Sequence, residues 1–188
     1  MKPESPIFSI DEHGWLQPAV HHPSPNFNQR PSDTTIDLLV IHNISLPPGE
    51  FGGDYIARFF CNTLDCSQHP ALLDLQDVKV SAHLLIDRNG ITSQFVSFNE
   101  RAWHAGVSAF DGRENCNDFS IGIELEGTDD QPYTAQQYSC LAMISRLLIQ
   151  QYPAILPSRI VGHSAIAPGR KTDPGPAFDW QYFFALLA

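Results

Sequence analysis

Two histidines and one aspartate have the side-chain types of a catalytic zinc site. His42 ends a short apolar run and precedes a loop rich in proline and glycine, whereas His163 follows the last short apolar run. Asp173 lies further along the chain, in the sequence KTDPGP. Two imidazoles and one carboxylate would leave one position open on a tetrahedral zinc ion, as catalytic zinc sites require. No local motif joins the three residues. The residue types alone therefore leave open the alternative that the histidines are structural or simply exposed to solvent.

Two carboxylates lie within the apolar segment FSIGIELEG. Strand alternation would place Glu124 and Glu126 on one face, opposite Leu125. An acidic side chain on an apolar strand is costly unless it is paired or functional. Glu124 is therefore a candidate general base that faces a metal. The alternative is a partly exposed glutamate at the end of a strand.

Lys171 and Trp103 are further candidates for a reaction site. Lys171 lies two residues before Asp173, and in a metal cleft it could stabilise a developing oxyanion. Trp103 and the adjacent His104, in the sequence RAWHAG, could form an aromatic wall. Their ordinary roles, a solvated surface lysine and a packed tryptophan, remain the alternatives at this level.

The elements that must position these residues are short strands and a few helices. Apolar and β-branched runs predict strands over 36–42, 82–87, 91–97, 119–125 and 159–162. Asn89-Gly90 between two such runs predicts a hairpin. Helices are predicted over 54–62, 134–152 and 178–187, the second with a capping box from Thr134 to Gln137 and a stop at Pro153. Residues 63–79 and 101–118 are predicted to be long loops.

The order of these elements predicts an α/β (α+β) fold. Strands and helices mix without strict alternation, which favours one domain with a central mixed sheet flanked by helices. Residues 1–35 are rich in proline, serine, asparagine and histidine and are expected to pack on the domain as an extended arm. The catalytic domain would then comprise residues 36–188.

Composition restricts the partners and the compartment. The 188-residue chain has a formal net charge of −10 and no run of lysine or arginine, so nucleic acid and anionic membranes are not expected partners. The cysteines, Cys61, Cys66, Cys116 and Cys140, match no disulfide framework. The first residues lack the apolar core of a signal peptide, and no apolar stretch approaches the roughly 18 residues of a membrane span. We therefore expect a cytoplasmic monomer.

Four blocks of the sequence are characteristic of a known family. They are VIHNISLPPGEFGG (40–53), VSAHLLIDRNG (80–90), RAWHAGVSAFDGRENCNDFSIGIELEGTD (101–129) and GHSAIAPGRKTDPGPAFDW (162–180). In these blocks the chain resembles the 1,6-anhydro-N-acetylmuramyl-L-alanine amidases of the zinc amidase and peptidoglycan-recognition superfamily. Residues 63–79 match this family less well than the blocks do.

The resemblance implies a mixed β-sheet with flanking helices and a complete set of catalytic groups. It implies that His42, His163 and Asp173 bind Zn2+ and that Glu124 and Lys171 complete the site. Ala82 stands where many members of the superfamily have tyrosine, so proton transfer would fall to Glu124. Many members also have cysteine where this chain has Asp173, and both departures agree with the anhydromuramyl branch.

The implied reaction is hydrolysis of the amide bond between the lactyl group of (1,6-anhydro-)N-acetylmuramic acid and L-alanine. The muropeptide substrate would come from cytoplasmic peptidoglycan recycling. Residues expected to hold it are Asn43, Lys79, Arg101, Trp103 and Arg113. Two alternatives remain: a peptidoglycan-binding module without catalysis, and an exported amidase that lyses intact wall. The complete ligand set argues against the first, and the lack of a recognisable export signal or wall-binding domain argues against the second.

Overall fold

Apolar runs and turn residues divide the chain into short strands and short helices. The computed structural model describes residues 7–188. Its strands are β1 (Ser9–Ile10), β2 (Leu16–Gln17), β3 (Val20–His21), β4 (Phe27–Asn28), β5 (Leu38–Ile44), β6 (Leu84–Ile86), β7 (Thr92–Gln94), β8 (Arg101–Ala102), β9 (Ala109–Phe110), β10 (Arg113–Glu114), β11 (Ser120–Glu126) and β12 (Ile160–Gly162). Its α-helices are α1 (Tyr55–Phe60), α2 (Ala135–Gln151), α3 (His163–Ile166) and α4 (Trp180–Leu187).

Six strands form the central sheet, in the order β12-β5-β11-β6-β7-β3. The first four of these run parallel, β7 is antiparallel to β6, and β3 is parallel to β7. The two longest strands, β5 and β11, lie side by side and are almost entirely buried. Buried parallel strands read as nearly continuous apolar runs, as these do. The predicted mixed sheet with flanking helices is confirmed.

The two faces of the sheet have different partners. Leu39 and Ile41 of β5 pack with α2 and α4 in the main apolar core. Leu38 and Val40 point to the opposite face, where they meet a smaller cluster that includes Ile166. His42 lies two residues after Val40, so its side chain points to the same face as Leu38 and Val40. The potential reactive groups therefore lie on the side of the sheet away from the main core.

Helix α2 begins and ends where its sequence signals predict. Thr134 Oγ1 accepts the N–H of Gln137 at 3.1 Å, and Gln137 Oε1 accepts the N–H of Thr134 at 3.1 Å. This reciprocal pair satisfies donors that a helix start leaves free. The helix ends at Gln151, before Pro153. Helix α4 starts at Trp180, two residues after its predicted start, because the Asp179 side chain caps it.

Some predicted boundaries differ from those observed. The predicted loop 63–79 contains 3-10 turns at Cys66–Gln68 and Pro70–Leu75, with Leu72 fully buried. The predicted loop 101–118 contains the short strands β8, β9 and β10. Helix α3 was not predicted, because four residues are too few for a helical period. The β6–β7 hairpin is confirmed, although both strands are shorter than predicted.

The segment that precedes β5 lies along the rest of the structure through short strands. Strand β3 adds to the edge of the central sheet at β7, and β4 pairs with β8. Arg30 donates hydrogen bonds to the carbonyl oxygens of Phe98, Asn117, Asp118 and Ser120. Burial lowers the pKa of Arg30 to about 10. Residues 1–6 of the predicted arm lie outside the described residues.

None of the helices between residues 7 and 188 combines the length and apolar character needed to span a membrane.

Candidate metal centre and active site

The carboxyl ends of three neighbouring strands bring the predicted reactive groups together. His42 lies on β5, and Glu124 occupies the position paired with it on β11. His163 is the residue that follows β12, on the other side of β5. Parallel strands place their carboxyl ends at one edge of the sheet, where catalytic groups are commonly held. The three side chains are almost completely buried.

Asp173 reaches this group from the loop after α3. Its carbonyl oxygen accepts the N–H of Ser164 at 3.0 Å, which ties the loop to the start of α3. Gly162 permits this close approach, because a Cβ there would lie 2.7 Å from Pro174 Cδ. The loop therefore holds the carboxylate beside both histidines.

Three atoms form a nearly equilateral triangle at the centre of the site. His42 Nδ1 lies 3.0 Å from His163 Nδ1, and each of these nitrogens lies 3.1 Å from Asp173 Oδ2. Within residues 7–188 these three residues form the group that could hold a metal ion. The predicted ligand set is thus assembled in one place, although it spans more than 130 residues of sequence.

The triangle fits a tetrahedral zinc ion. Zinc–nitrogen bonds of about 2.0–2.1 Å correspond to ligand separations of roughly 3.3 Å at the edges of a tetrahedron. His163 Nε2 lies 3.0 Å from the carbonyl oxygen of Ala105, which can only accept, so the neutral ring directs the Nδ1 lone pair at Asp173 Oδ2. Two acceptors 3.1 Å apart need a shared proton or cation between them. Two imidazoles and a carboxylate are a donor set that zinc prefers.

The ionisation states of the ligands also suit a cation. Burial lowers the pKa of His42 from 6.5 to about 4, which favours the neutral imidazole. Burial opposes ionisation of Asp173, but the adjoining His163 and His42 side chains outweigh it and hold the pKa of Asp173 well below the usual range. Metal ligands must be deprotonated to bind. The neutral imidazole of His42 and the ionised carboxylate of Asp173 meet that requirement at neutral pH.

Glu124 and Glu126 lie on one face of β11 but have different surroundings. Glu126 accepts the N–H of Gly52 at 2.5 Å and that of Arg88 at 3.2 Å, so it fastens two loops. Glu124 Oε2 is buried and accepts no hydrogen bond from residues 7–188. Burial raises the pKa of Glu124 well above its usual range, the negative charge of Asp173 adds to the rise, and Lys171 opposes it. Glu124 is thus a buried carboxyl group with an unpartnered oxygen beside the candidate metal ligands.

A cavity of about 540 Å³ opens onto this group. Its base carries the candidate ligands, Glu124 and Lys171. One wall is apolar and is formed by Leu46, Phe59, Phe60, Leu75, Val78 and Val80. Another part is polar and is formed by Thr128, Asp129, Arg170 and Thr172. The cavity therefore offers an apolar surface and cations within one space.

The residues predicted to hold substrate are dispersed. Asn43 and Trp103 line the cavity. Arg101 and Arg113 do not line it. Arg101 pairs with Asp118 at 2.5 Å, and Arg113 pairs with Asp37 at 2.6 Å. Lys79 lines a separate pocket of about 220 Å³. Substrate contacts by all five of these residues stay predictions.

Two of the lining residues make hydrogen bonds that fix their side chains. Asn43 donates through Nδ2 to Asp129 Oδ1 at 2.8 Å and to the Tyr133 hydroxyl at 3.0 Å. Trp103 donates through Nε1 to Asn28 Oδ1 at 2.7 Å. Both side chains are therefore held in place before any ligand binds.

Sequence reasoning did not single out several residues of the site. His104 lies beside His42, and Arg170 and Asp129 line the cavity. The sequence offered His104 only as part of an aromatic wall with Trp103, and no spacing linked it to His42. The apolar wall comes partly from the 3-10 turn Pro70–Leu75, in the segment predicted to be a loop. These contacts depend on tertiary packing, which local patterns do not encode.

Comparisons with known proteins agree with the geometry of the site. A family model described as N-acetylmuramoyl-L-alanine amidase matches residues 32–176. The chain is 57% identical over 176 residues to the 1,6-anhydro-N-acetylmuramyl-L-alanine amidase AmpD of Enterobacter cloacae, and the match covers 94% of both chains.

Two solved structures extend the comparison. The crystal structure of a selenomethionine AmpD derivative matches with a TM-score of 0.93 and 54% identity, covering 96% of this chain and 99% of that chain. The complex of the Escherichia coli amidase AmiD with the substrate anhydro-N-acetylmuramic acid-L-Ala-D-γ-Glu-L-Lys matches with a TM-score of 0.58 and 30% identity. That match covers 94% of this chain and 65% of AmiD.

Proposed function

The chain belongs to the N-acetylmuramoyl-L-alanine amidase family, and we propose that it hydrolyses the amide bond between the lactyl group of 1,6-anhydro-N-acetylmuramic acid and L-alanine. One observation carries the proposal. His42, His163 and Asp173 converge on one point, next to a buried glutamate and at the base of a cavity. This arrangement, with an open side for water and substrate, is the arrangement of a catalytic metal centre.

The metal is zinc in this proposal, held by His42 Nδ1, His163 Nδ1 and Asp173 Oδ2. When bound, zinc would lower the pKa of a coordinated water toward about 7 and polarise the scissile carbonyl. The near-tetrahedral edges of the ligand triangle support zinc over magnesium and calcium, which prefer six or more oxygen ligands.

Glu124 is the general base and then the general acid of the reaction. Its unpartnered Oε2 accepts the proton of the attacking water, and the protonated carboxyl delivers it to the leaving L-alanine nitrogen. The raised pKa of Glu124 supports this role, because it makes the carboxylate a stronger base than an ordinary glutamate.

Lys171 supplies positive charge at the cavity wall. Its ammonium group stabilises the negative charge that develops on the carbonyl oxygen during attack. Arg170, the preceding residue, is occupied by the carbonyl oxygens of Ala105 and Val107. Lys171 is therefore the better placed of the two for a substrate that carries an acidic peptide.

The substrate is an anhydromuropeptide from wall turnover. AmpD of Enterobacter cloacae is named for this reaction, and AmiD of Escherichia coli was solved with an anhydromuramyl peptide. The apolar wall and Trp103 suit the compact sugar, whereas the polar side suits the peptide. The free thiols of Cys61, Cys66, Cys116 and Cys140 support a reducing cytoplasm as the place of action. We propose that the chain acts there as a monomer.

Product analysis tests this proposal. Purified enzyme is incubated with an anhydromuramyl tetrapeptide, and the products are identified by mass spectrometry with and without a chelator. The proposal requires free anhydro-N-acetylmuramic acid and the intact peptide, no product after chelation, and recovery when zinc is added. Cleavage inside the peptide, or an unaltered substrate in the presence of zinc, would refute it. A peptidoglycan-binding module would bind the fragment and leave it uncut.

A further inference from the structure

The outward nitrogens of both candidate histidine ligands meet one short piece of backbone. His42 Nε2 lies 2.9 Å from His104 Nδ1. His163 Nε2 lies 3.0 Å from the carbonyl oxygen of Ala105. Two consecutive residues thus provide the partners for one ring on β5 and one ring at the start of α3.

Asn117 holds this piece of backbone in place. Its buried Oδ1 accepts the N–H of His104 at 3.0 Å and the N–H of Ala105 at 2.8 Å. Asn117 lies in the 3-10 turn Cys116–Asp118, and its own carbonyl oxygen accepts a hydrogen bond from Arg30 at 3.1 Å. One side-chain oxygen therefore fixes both residues that contact the ligands.

The ring of His104 occupies a space that β11 leaves open. A Cβ at Gly122 would lie 2.5 Å from His104 Cγ and Nδ1, so any larger residue would displace the ring. On the far side, His104 Nε2 lies 3.2 Å from Ser120 Oγ. Small residues at these two positions of β11 allow His104 to lie beside His42.

The hydrogen-bond partners determine which nitrogen of each ring carries the proton. A carbonyl oxygen only accepts, so His163 carries its proton on Nε2 and leaves Nδ1 free for a metal. For His42 to present Nδ1 in the same way, its Nε2–H must donate to His104 Nδ1. His104 then carries its own proton on Nε2, where Ser120 Oγ accepts it.

We propose that the segment His104–Ala105, held by the Asn117 side chain, positions both histidine ligands and selects the tautomer that binds zinc. His104 and Asn117 are positioning residues: neither is among the three converging ligands, and they act through His42 and His163. The proposal rests on the zinc site of the proposed function and adds to it the groups that orient the ligands. Loss of such outer partners typically lowers metal affinity about 10–100-fold.

Two pairs of variants test the proposal through zinc affinity. His104→Leu removes the acceptor for His42, whereas His104→Asn retains an oxygen close to the position of Nδ1. Asn117→Ala removes the acceptor for both backbone N–H groups, whereas Asn117→Asp retains it. The zinc dissociation constant is measured by competition with a chromophoric chelator, and the visible spectrum is recorded after cobalt substitution. Melting of the metal-free proteins reports on folding.

The proposal predicts a weakening of zinc binding of about 10–100-fold in His104→Leu and Asn117→Ala, with an altered cobalt spectrum. His104→Asn and Asn117→Asp should bind zinc within about threefold of the wild type. Wild-type affinity in both disruptive variants would overturn the proposal. Equal weakening in each conservative variant would also overturn it, because loss of packing would then explain the effect. A wild-type protein that binds no zinc would instead refute the proposed metal centre itself.

A measurement on the wild type keeps the proposal testable if a variant does not fold. In the zinc-loaded protein, long-range proton–nitrogen NMR correlations assign the protonated nitrogen of each histidine ring. The proposal requires Nε2–H on His42, His163 and His104. A proton on His104 Nδ1 would contradict it, because His42 Nε2–H would then have no acceptor there.

Discussion

Glu124 and His42 occupy paired positions on adjacent parallel strands, and both side chains are buried on the face away from the main core. The register of β5 and β11 thus sets the distance between a candidate metal ligand and a candidate general base. A one-residue slip would turn one of the two side chains into the apolar core. The pairing of two strands therefore determines whether the site can exist.

Glu124→Gln should separate proton transfer from metal binding. The amide keeps the shape of the side chain but cannot act as a base, so we expect kcat to fall by about 10²–10⁴-fold while zinc content stays normal. Glu126→Gln is the matched control, because it alters the other buried glutamate of the same face and retains an acceptor for Gly52. The control should turn over within a few fold of wild type. Loss of zinc from Glu124→Gln would make Glu124 a ligand instead.

His42→Ala and His163→Ala should each remove most of the metal and the activity together. Each substitution removes one of the three proposed protein ligands, and a site with two protein ligands binds zinc far more weakly. Metal content by atomic absorption and turnover are measured on the same preparations. His13→Ala serves as the control, because that side chain is 78% exposed and lies outside the site. Full activity in His42→Ala would show that the site is wrong.

His83 should make stability fall as the pH is lowered. Burial, followed by the charge of Arg30, lowers the pKa of His83 from 6.5 to about 3. His83 Nδ1 accepts the N–H of Gly122 at 3.0 Å, and a proton on Nδ1 would break that bond. Between these two pKa values the unfolded chain binds a proton that the folded chain excludes. The contribution of neutral His83 to the free energy of unfolding is complete above pH 6.5. Below that pH the free energy of unfolding falls by about 1.4 kcal/mol per pH unit.

The His83 effect is measured on metal-free protein. Free energies of unfolding in urea are compared at about pH 6 and about pH 5 for the wild type and His83→Asn, which keeps an acceptor for Gly122. We expect the free energy of unfolding of the variant to fall less over this interval. The difference should correspond to the uptake of about one proton on unfolding. Identical slopes would mean that His83 is protonated in the folded protein.

Anhydromuropeptides should be cleaved at least about tenfold more efficiently than matched reducing muropeptides. The anhydro ring is more compact than the reducing sugar and has fewer hydroxyl groups. The apolar wall with Trp103 favours such a sugar. An apolar fit or one missing polar contact contributes roughly 1–3 kcal/mol of discrimination. The test compares kcat/KM for two substrates with the same peptide. Equal values, or faster release from intact wall, would favour a wall-lytic amidase.

The sequence predicted the candidate catalytic groups, which the fold brings together, more fully than the surfaces around them. His42 ends an apolar run, His163 follows one and Glu124 lies near the end of another, and parallel strands bring such ends together. The capping box at Thr134 was predictable because its two hydrogen bonds are local. Residue types alone suggested that Asp173 joins His42 and His163 but did not exclude structural histidines, and the family resemblance favoured the zinc site.

The apolar wall and the outer partners of the histidines were not predictable, for a common physical reason. Leu75 and Val78 belong to the segment 63–79, whose turns bring them to the cavity, and Phe59 reaches it from α1. Asn117 and His104 meet through long-range hydrogen bonds that have no period or spacing in the sequence. Such contacts arise from tertiary packing, which short-range sequence patterns do not predict.

A zinc titration of metal-free enzyme tests the central claim most directly. Chelated and dialysed protein is supplied with increasing zinc while the release of anhydro-N-acetylmuramic acid from the anhydromuropeptide is measured. Three protein ligands with one open position define a single catalytic site, so activity should rise linearly and level off at about one zinc per chain. Full activity without metal, or none at any zinc concentration, would contradict a metal-dependent amidase centred on His42, His163 and Asp173.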